Sequence, residues 1–166
     1  MSAVHRLLRI WKFLGRWPAL QRFLLRLLND SFMIGIVAVV LDQQDRVVLF
    51  HHSYRRRFPW GLPGGWLRRG EEPDQALIRE IKEETGLDAE ILRPLTAIAE
   101  PVKPDFEVIY LARVIGGTFR PSVEVDEIGY YTVDNLPPLK PYQKELILRA
   151  FPAPPIYVSF DQTIAR

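Results

Sequence analysis

The chain reads as a mixed α and β domain behind a basic, helical N-terminal arm, and three features predict it. A continuous apolar, β-branched run covers residues 32–41. One helix is bracketed between Pro73 and Gly86, and another opens at Pro141. A length of 166 residues suits one compact domain with a sizeable core. Hydrophobic content of 48% and charged content of 25% are ordinary for such a domain. The chain has no cysteine, which excludes disulfides, thiolate zinc sites and a cysteine nucleophile and suits a reducing, cytoplasmic location. The net charge of +2 conceals an asymmetry. Residues 1–30 carry six basic side chains against Asp30 alone, whereas the remainder carries 16 basic against 19 acidic.

In the arm, Val4, Leu7, Leu8, Trp11 and Leu14 follow helical spacing, and Leu20, Phe23, Leu24, Leu27 and Leu28 resume it. Two amphipathic helices broken near Gly15 and Pro18 are expected. Such faces are first of all protein-facing, so the arm should pack on its own domain or on a second copy, giving a homodimer. A peripheral membrane contact through residues 1–28 is the alternative, because Trp, Phe and Leu oppose basic residues. Charges every few residues preclude a spanning helix, and neither an apolar h-region nor a cleavage site marks a signal peptide.

The body then alternates. Residues 32–41 should be a buried strand, 42–45 a turn and 46–52 a second strand. Residues 54–65 form a Pro/Gly loop that interleaves Arg55, Arg56 and Arg57 with Phe58 and Trp60. Pro73 suits the first turn of a helix whose positive end carries Glu71, Glu72 and Asp74, and Gly86 suits its stop. Leu77, Ile78 and Ile81 should be its buried side. Further strands are expected over 90–98, 107–115 and 127–133, with Gly116 and Gly117 as a turn. The final helix should run over 141–150 with Tyr142, Leu146 and Ile147 inward, before an extended Pro-rich tail. No repeat or linker divides this body.

The helix after Pro73 concentrates the chemistry. Glu80 lies three and four residues from Glu83 and Glu84, so all three carboxylates share a face, and Arg79 stands four residues before Glu83. Clustered carboxylates repel one another unless a cation joins them, and a hard divalent ion such as Mg²⁺ or Mn²⁺ favours oxygen donors completed by phosphates and water. A solvated helix laced with ion pairs would explain the glutamates. It would not explain Gly65, Glu71 and Gly86 at their spacings.

Those residues resemble the Nudix box in full: Gly65, five residues, Glu71, seven residues, then Arg79, Glu80, Ile81, Glu83, Glu84, Gly86 and Leu87. Seven fixed residues at ordinary frequencies would coincide on the order of once in 10¹⁰ placements. A looser likeness in the order of elements runs from about Phe32 to Ala150. The resemblance implies a Nudix domain over 31–166, folded as an α/β/α sandwich with a mixed sheet. It implies divalent-metal-dependent hydrolysis of a nucleoside diphosphate linked to another moiety. By position, Glu80 and Glu84 would be metal ligands, Glu83 a ligand or close metal partner, and Gly65 a carbonyl ligand. Arg79 would orient Glu83, and Glu71 would support the loop or a further ion. The general base would be a box glutamate or a carboxylate on the loop before a later strand. There Glu124 and Glu127 rank ahead of Asp126.

Substrate selectivity should lie outside the box. Arg55 and Arg57 are placed to attract phosphates, and Phe58 and Trp60 to stack on a base or to plug the core under the loop. His51 and His52 lack metal-ligand spacing and read as structural. Pro104 lies 17 residues beyond Leu87, an offset that resembles the ADP-ribose pyrophosphatase branch, with nucleotide sugars and CDP-alcohols in the same class. Two alternatives are a nucleotide-sensing module without catalysis and an RNA-end pyrophosphohydrolase. Sensing modules usually lose a box carboxylate, and all are present. RNA binding would want a basic groove, whereas the body is net negative, so a small nucleotide and no nucleic acid is the expected partner.

Overall fold

The computed structural model describes residues 17–20, 23, 27, 32–99 and 105–151; the arm's first helix, the proline region before Asp105 and the tail after Phe151 lie outside them. Seven strands form one mixed sheet: β1 (Met33–Leu41), β2 (Val47–His52), β3 (Trp60–Gly61), β4 (Gly64–Trp66), β5 (Leu87–Ala99), β6 (Asp105–Gly117) and β7 (Val125–Tyr131). Helices α1 (Pro73–Thr85) and α2 (Pro141–Ala150) cover it. The order is β3-β2-β1-β6-β5, with β4 paired to β1 and β7 to β2. Only β1 and β6 run parallel, in register from Met33–Asp105 to Leu41–Arg113.

Alternation along β1 builds two cores. Ile36, Ala38 and Val40 point to one face with Val48, Phe50 and the α1 residues Ala76, Leu77 and Ile81. Val37, Val39 and Leu41 point to the other with Val47, Leu49 and the α2 residues Leu146 and Ile147. Phe50, Leu77, Ile81 and Ile147 are almost fully buried, and each such side chain contributes about 1.5–3 kcal/mol. A continuous apolar strand is required here because helices occupy both faces.

The sheet forks beside β1. Strand β2 pairs with β1 only at Val40 and Leu41, while β4 takes over at Gly35, Ile36 and Val37. Two sets of strands therefore diverge, and α1 and α2 approach the gap from opposite faces. This gap becomes the cavity described below.

Several expectations needed correction. The Pro/Gly loop contains the short strands β3 and β4, because it fills the edge of β1 that β2 leaves. Gly116 and Gly117 end β6 in pairing with Asp88 and Leu87 rather than forming a free turn. Strand β5 starts directly after Gly86, so its first residues already take partners. Strand β7 spans Val125–Tyr131 and is followed by a 3-10 turn at Val133–Asn135. On α1, Ala76 is buried where Ile78 was expected, and Ile78 is only half-buried. On α2, Tyr142 is exposed and Gln143 is buried with Leu146, Ile147 and Ala150. In the arm, residues 18–20, 23 and 27 are helical, and Leu20, Phe23 and Leu27 are exposed. Among the described residues no helix is long and apolar enough to cross a membrane.

Candidate active site

Helix α1 starts at Pro73, whose fixed φ suits the first turn, and stops at Gly86. Gly86 adopts φ 74°, a left-handed conformation that costs glycine little, and its N–H donates to the Lys82 carbonyl. Between these ends Ala76, Leu77 and Ile81 bind the helix to the sheet and fix the heading of its acidic face. Gly65 on β4 lies against that face. A Cβ there would stand 2.5 Å from the Glu80 carboxyl carbon, so any other residue would displace the Glu80 carboxylate.

Arg79 organises one side of the acidic face. Its Nε donates to Glu71 Oε1 at 2.7 Å and its Nη2 to Glu71 Oε2 at 3.0 Å. Its Nη1 donates to Glu80 Oε1 at 2.7 Å and to Glu83 Oε2 at 3.2 Å. The hydrogen bonds that Arg79 donates to Glu71 raise the Arg79 pKa, and the same contact lowers that of Glu71. Arg68, which the sequence reading missed, donates through Nη2 to Glu83 Oε2 at 3.1 Å, and its backbone N–H to Glu71 Oε2 at 3.2 Å. Glu71 and Arg79 thus buttress the face from behind.

The open side of the face lines a cavity of about 640 Å³, a size suited to a small ligand. Glu80, Glu83, Glu84, Gly65, Arg55 and Glu124 meet around it. Glu124 reaches it because Ser53, just beyond β2, fastens the preceding loop. The Ser53 N–H donates to the Glu124 carbonyl at 3.0 Å and its hydroxyl to the Val123 carbonyl at 2.7 Å. Glu84 carries the sharpest electrostatic signature. Burial, then the neighbouring charges of Glu124 and Glu80, lift its pKa to about 7, against the opposing pull of Arg55. Its Oε2 is buried without a hydrogen-bond partner.

These donors suit a hard cation, with one qualification of the expected platform. Among the described residues, no group of three His, Asp or Glu side chains stands close enough to hold a metal ion. Arg79 Nη1 holds Glu80 and Glu83 together, while Glu84 turns into the cavity. An ion here would complete its shell with phosphate oxygens and water, the usual habit of Mg²⁺.

Other expected site residues lie elsewhere. Glu127 pairs in register with His51 on β2 and does not line the cavity. Asp126 Oδ1 accepts a hydrogen bond from His51 Nδ1 at 2.6 Å, outside the cavity. Trp60 packs edge-on against His51 and Tyr131 on the α2-side core, so it plugs rather than stacks. The Arg57 guanidinium lies over the Phe58 ring, and neither lines the cavity. Conversely, His52, Lys140, Tyr142 and Gln143 line it although the sequence reading assigned none of them to it. The available signal was the polar residue in the 143, 146, 147 and 150 stripe of α2.

A family model described as the NUDIX domain matches residues 31–150. The chain belongs to the Nudix family. The human 8-oxo-dGDP phosphatase NUDT18 is 35% identical over 115 residues, covering 66% of this chain but 35% of that protein. The ADP-ribose pyrophosphatase of Methanocaldococcus jannaschii is 27% identical and covers 68% of this chain and 69% of its own length. The crystal structure of an ADP-ribose pyrophosphatase from Streptococcus suis superposes with a TM-score of 0.61 at 29% identity, over 72% of this chain and 92% of that one. The chain thus spans about a third of the length of its human relative and most of these two smaller Nudix proteins.

Proposed function

We propose that this Nudix chain is a divalent-metal-dependent hydrolase that cleaves the diphosphate linkage of a nucleoside diphosphate joined to another moiety, of the ADP-ribose, nucleotide-sugar or CDP-alcohol class. The observation that carries the reading is Glu84: a carboxylate with a buried, unpartnered oxygen, beside Glu80 and Glu124 in one small-molecule cavity. Such an arrangement is costly unless a cation and its ligands occupy it.

In this reading Glu80 and Glu84 hold Mg²⁺ or Mn²⁺, with the Gly65 carbonyl and Glu83 beside them. When bound, the ion neutralises diphosphate charge and acidifies water. Arg79 and Glu71 position Glu80 and Glu83. Arg55, which lines the cavity, binds the phosphate oxygens as a fork of donors. Glu124 is the general base and receives the proton of the attacking water on its carboxylate. The two ADP-ribose pyrophosphatases support the first substrate class. The human relative supports a second panel member, 8-oxo-dGDP.

The test is product analysis of the purified chain against ADP-ribose, a UDP-sugar, a CDP-alcohol and 8-oxo-dGDP with Mg²⁺ or Mn²⁺. Release of a nucleoside monophosphate from at least one is expected. No turnover of any with either ion would overturn the proposal.

A further inference from the structure

Arg55 lines the cavity, and its charge acts on both sides of it. On the acidic side, burial lifts the Glu84 pKa and Arg55 opposes that lift. On the α2 side, burial lowers the His52 pKa to about 4, and Arg55 is the next cause. The ion pairs that restrain the acidic face use Arg68 and Arg79 and leave Arg55 out. Its backbone N–H donates to the His52 carbonyl at 3.1 Å, which ties the loop to the end of β2. Its guanidinium lies over the Tyr54 ring, 5.5 Å from the centroid, and Nη2 donates to the Tyr54 hydroxyl at 3.4 Å.

The guanidinium has a seat on β3. A Cβ built on Gly61 would stand 2.6 Å from Arg55 Nη1, so a side chain there and the guanidinium could not both keep their places. His52 Nε2 and Gln143 Oε1 each lie 3.4 Å from the same point, and both are buried without hydrogen-bond partners. A carboxamide oxygen is an acceptor, and a neutral imidazole has one acceptor nitrogen. Such a lining attracts a cation without tying down its N–H groups. Gly61 has no conformational need to be glycine. It pairs with Phe50 in the sheet, and its φ is not in the left-handed region. What the missing side chain provides is room. Alanine would suit this backbone and would push the guanidinium, the free end of a flexible side chain, by about 1 Å to reach ordinary contact.

The geometry points to Gly61 as a positioning residue: by carrying no side chain, it seats the Arg55 guanidinium against β3, ready for a phosphate oxygen of the diphosphate. The inference rests on the diphosphate reading above, in which Arg55 binds phosphate, and adds the residue that sets where Arg55 waits. A misplacement of about 1 Å at a reacting site can cost about a hundredfold in rate, so the seat matters to function.

The experiment is calorimetric titration of the full chain, with Mg²⁺, against methylenediphosphonate for wild type, Gly61→Ala, Arg55→Ala and the double variant. It is joined to an NMR titration of the His52 ring in the ligand-free proteins. Gly61→Ala should weaken diphosphonate binding by at least about tenfold, yet by less than about twofold where Arg55 is already alanine. The His52 pKa should rise in both single variants, because a positive charge that disfavours the imidazolium has moved away or gone. Where Arg55→Ala weakens binding, wild-type affinity in Gly61→Ala, or an equal loss with and without Arg55, would overturn the seat. A His52 pKa unmoved by Gly61→Ala would overturn it too. Diphosphonate that fails to bind wild type, or that binds Arg55→Ala as tightly, would count against the diphosphate reading, and the His52 titration then decides the seat alone.

Discussion

The two walls of the cavity solve opposite problems. The α1 wall crowds Glu80, Glu83 and Glu84 together and restrains two of them with one guanidinium. The α2 wall leaves both ring nitrogens of His52 and the Oε1 of Gln143 buried without hydrogen-bond partners. Excess charge on one side and missing hydrogen bonds on the other are both costly in the ligand-free protein. In the function proposed above, a diphosphate with its cation offsets the cost of the charged wall.

Changing Glu84→Gln should break the charged wall most severely. The substitution keeps shape and removes a ligand charge, so kcat should fall by about three orders of magnitude or more. A rate near wild type in steady-state kinetics would remove Glu84 from the ion's shell. Next in size, Glu124→Gln should lower kcat by more than about tenfold with little change in KM, as loss of a general base does. Glu127→Gln should be close to neutral, since Glu127 does not line the cavity. The reverse ranking would move the base to the other carboxylate.

Stability sharpens the contrast further. Burial lifts Glu84 to about 7, so through the interval between the ordinary carboxylate pKa and that value the folded chain alone keeps the proton. Metal-free stability from this group therefore falls as pH rises through that interval, and the full penalty stands above it. Glu84→Gln should melt several degrees higher than wild type at pH 8 and at the same temperature at pH 4. An equal difference at both values would show that packing, not charge, is responsible. The smallest effect concerns the neutral wall. Gln143→Leu removes an unpaired amide oxygen, so ligand-free stability should rise by about 1 kcal/mol in denaturant unfolding. A loss instead would mean the amide is paired within the fold.

The same division explains what the sequence made legible. Glu80, Glu83 and Glu84 lie within five residues on one helix, so helical spacing alone brings them together. Pro73 and Gly86 mark that helix in the same terms, and Pro141 marks α2. The neutral wall joins the end of β2 to the third residue of α2, far apart in sequence, and only the fork in the sheet brings them together. Its residues carry no charge pattern. Tyr142 drew attention by size, whereas Gln143 occupies the buried stripe. Likewise nothing in sequence separates Glu124 from Glu127; the Ser53 hydrogen bonds to the Val123 and Glu124 carbonyls place Glu124 at the cavity.

The most direct test is the affinity of the full chain for Mn²⁺, read from the free-ion signal in electron paramagnetic resonance, with and without methylenediphosphonate. Because no three acidic or histidine side chains among the described residues stand close enough to hold an ion, weak binding of Mn²⁺ alone is expected, with marked strengthening by the diphosphonate and loss of that strengthening in Glu84→Gln. Binding of Mn²⁺ that is indifferent to the diphosphonate, or identical in wild type and Glu84→Gln, would contradict it.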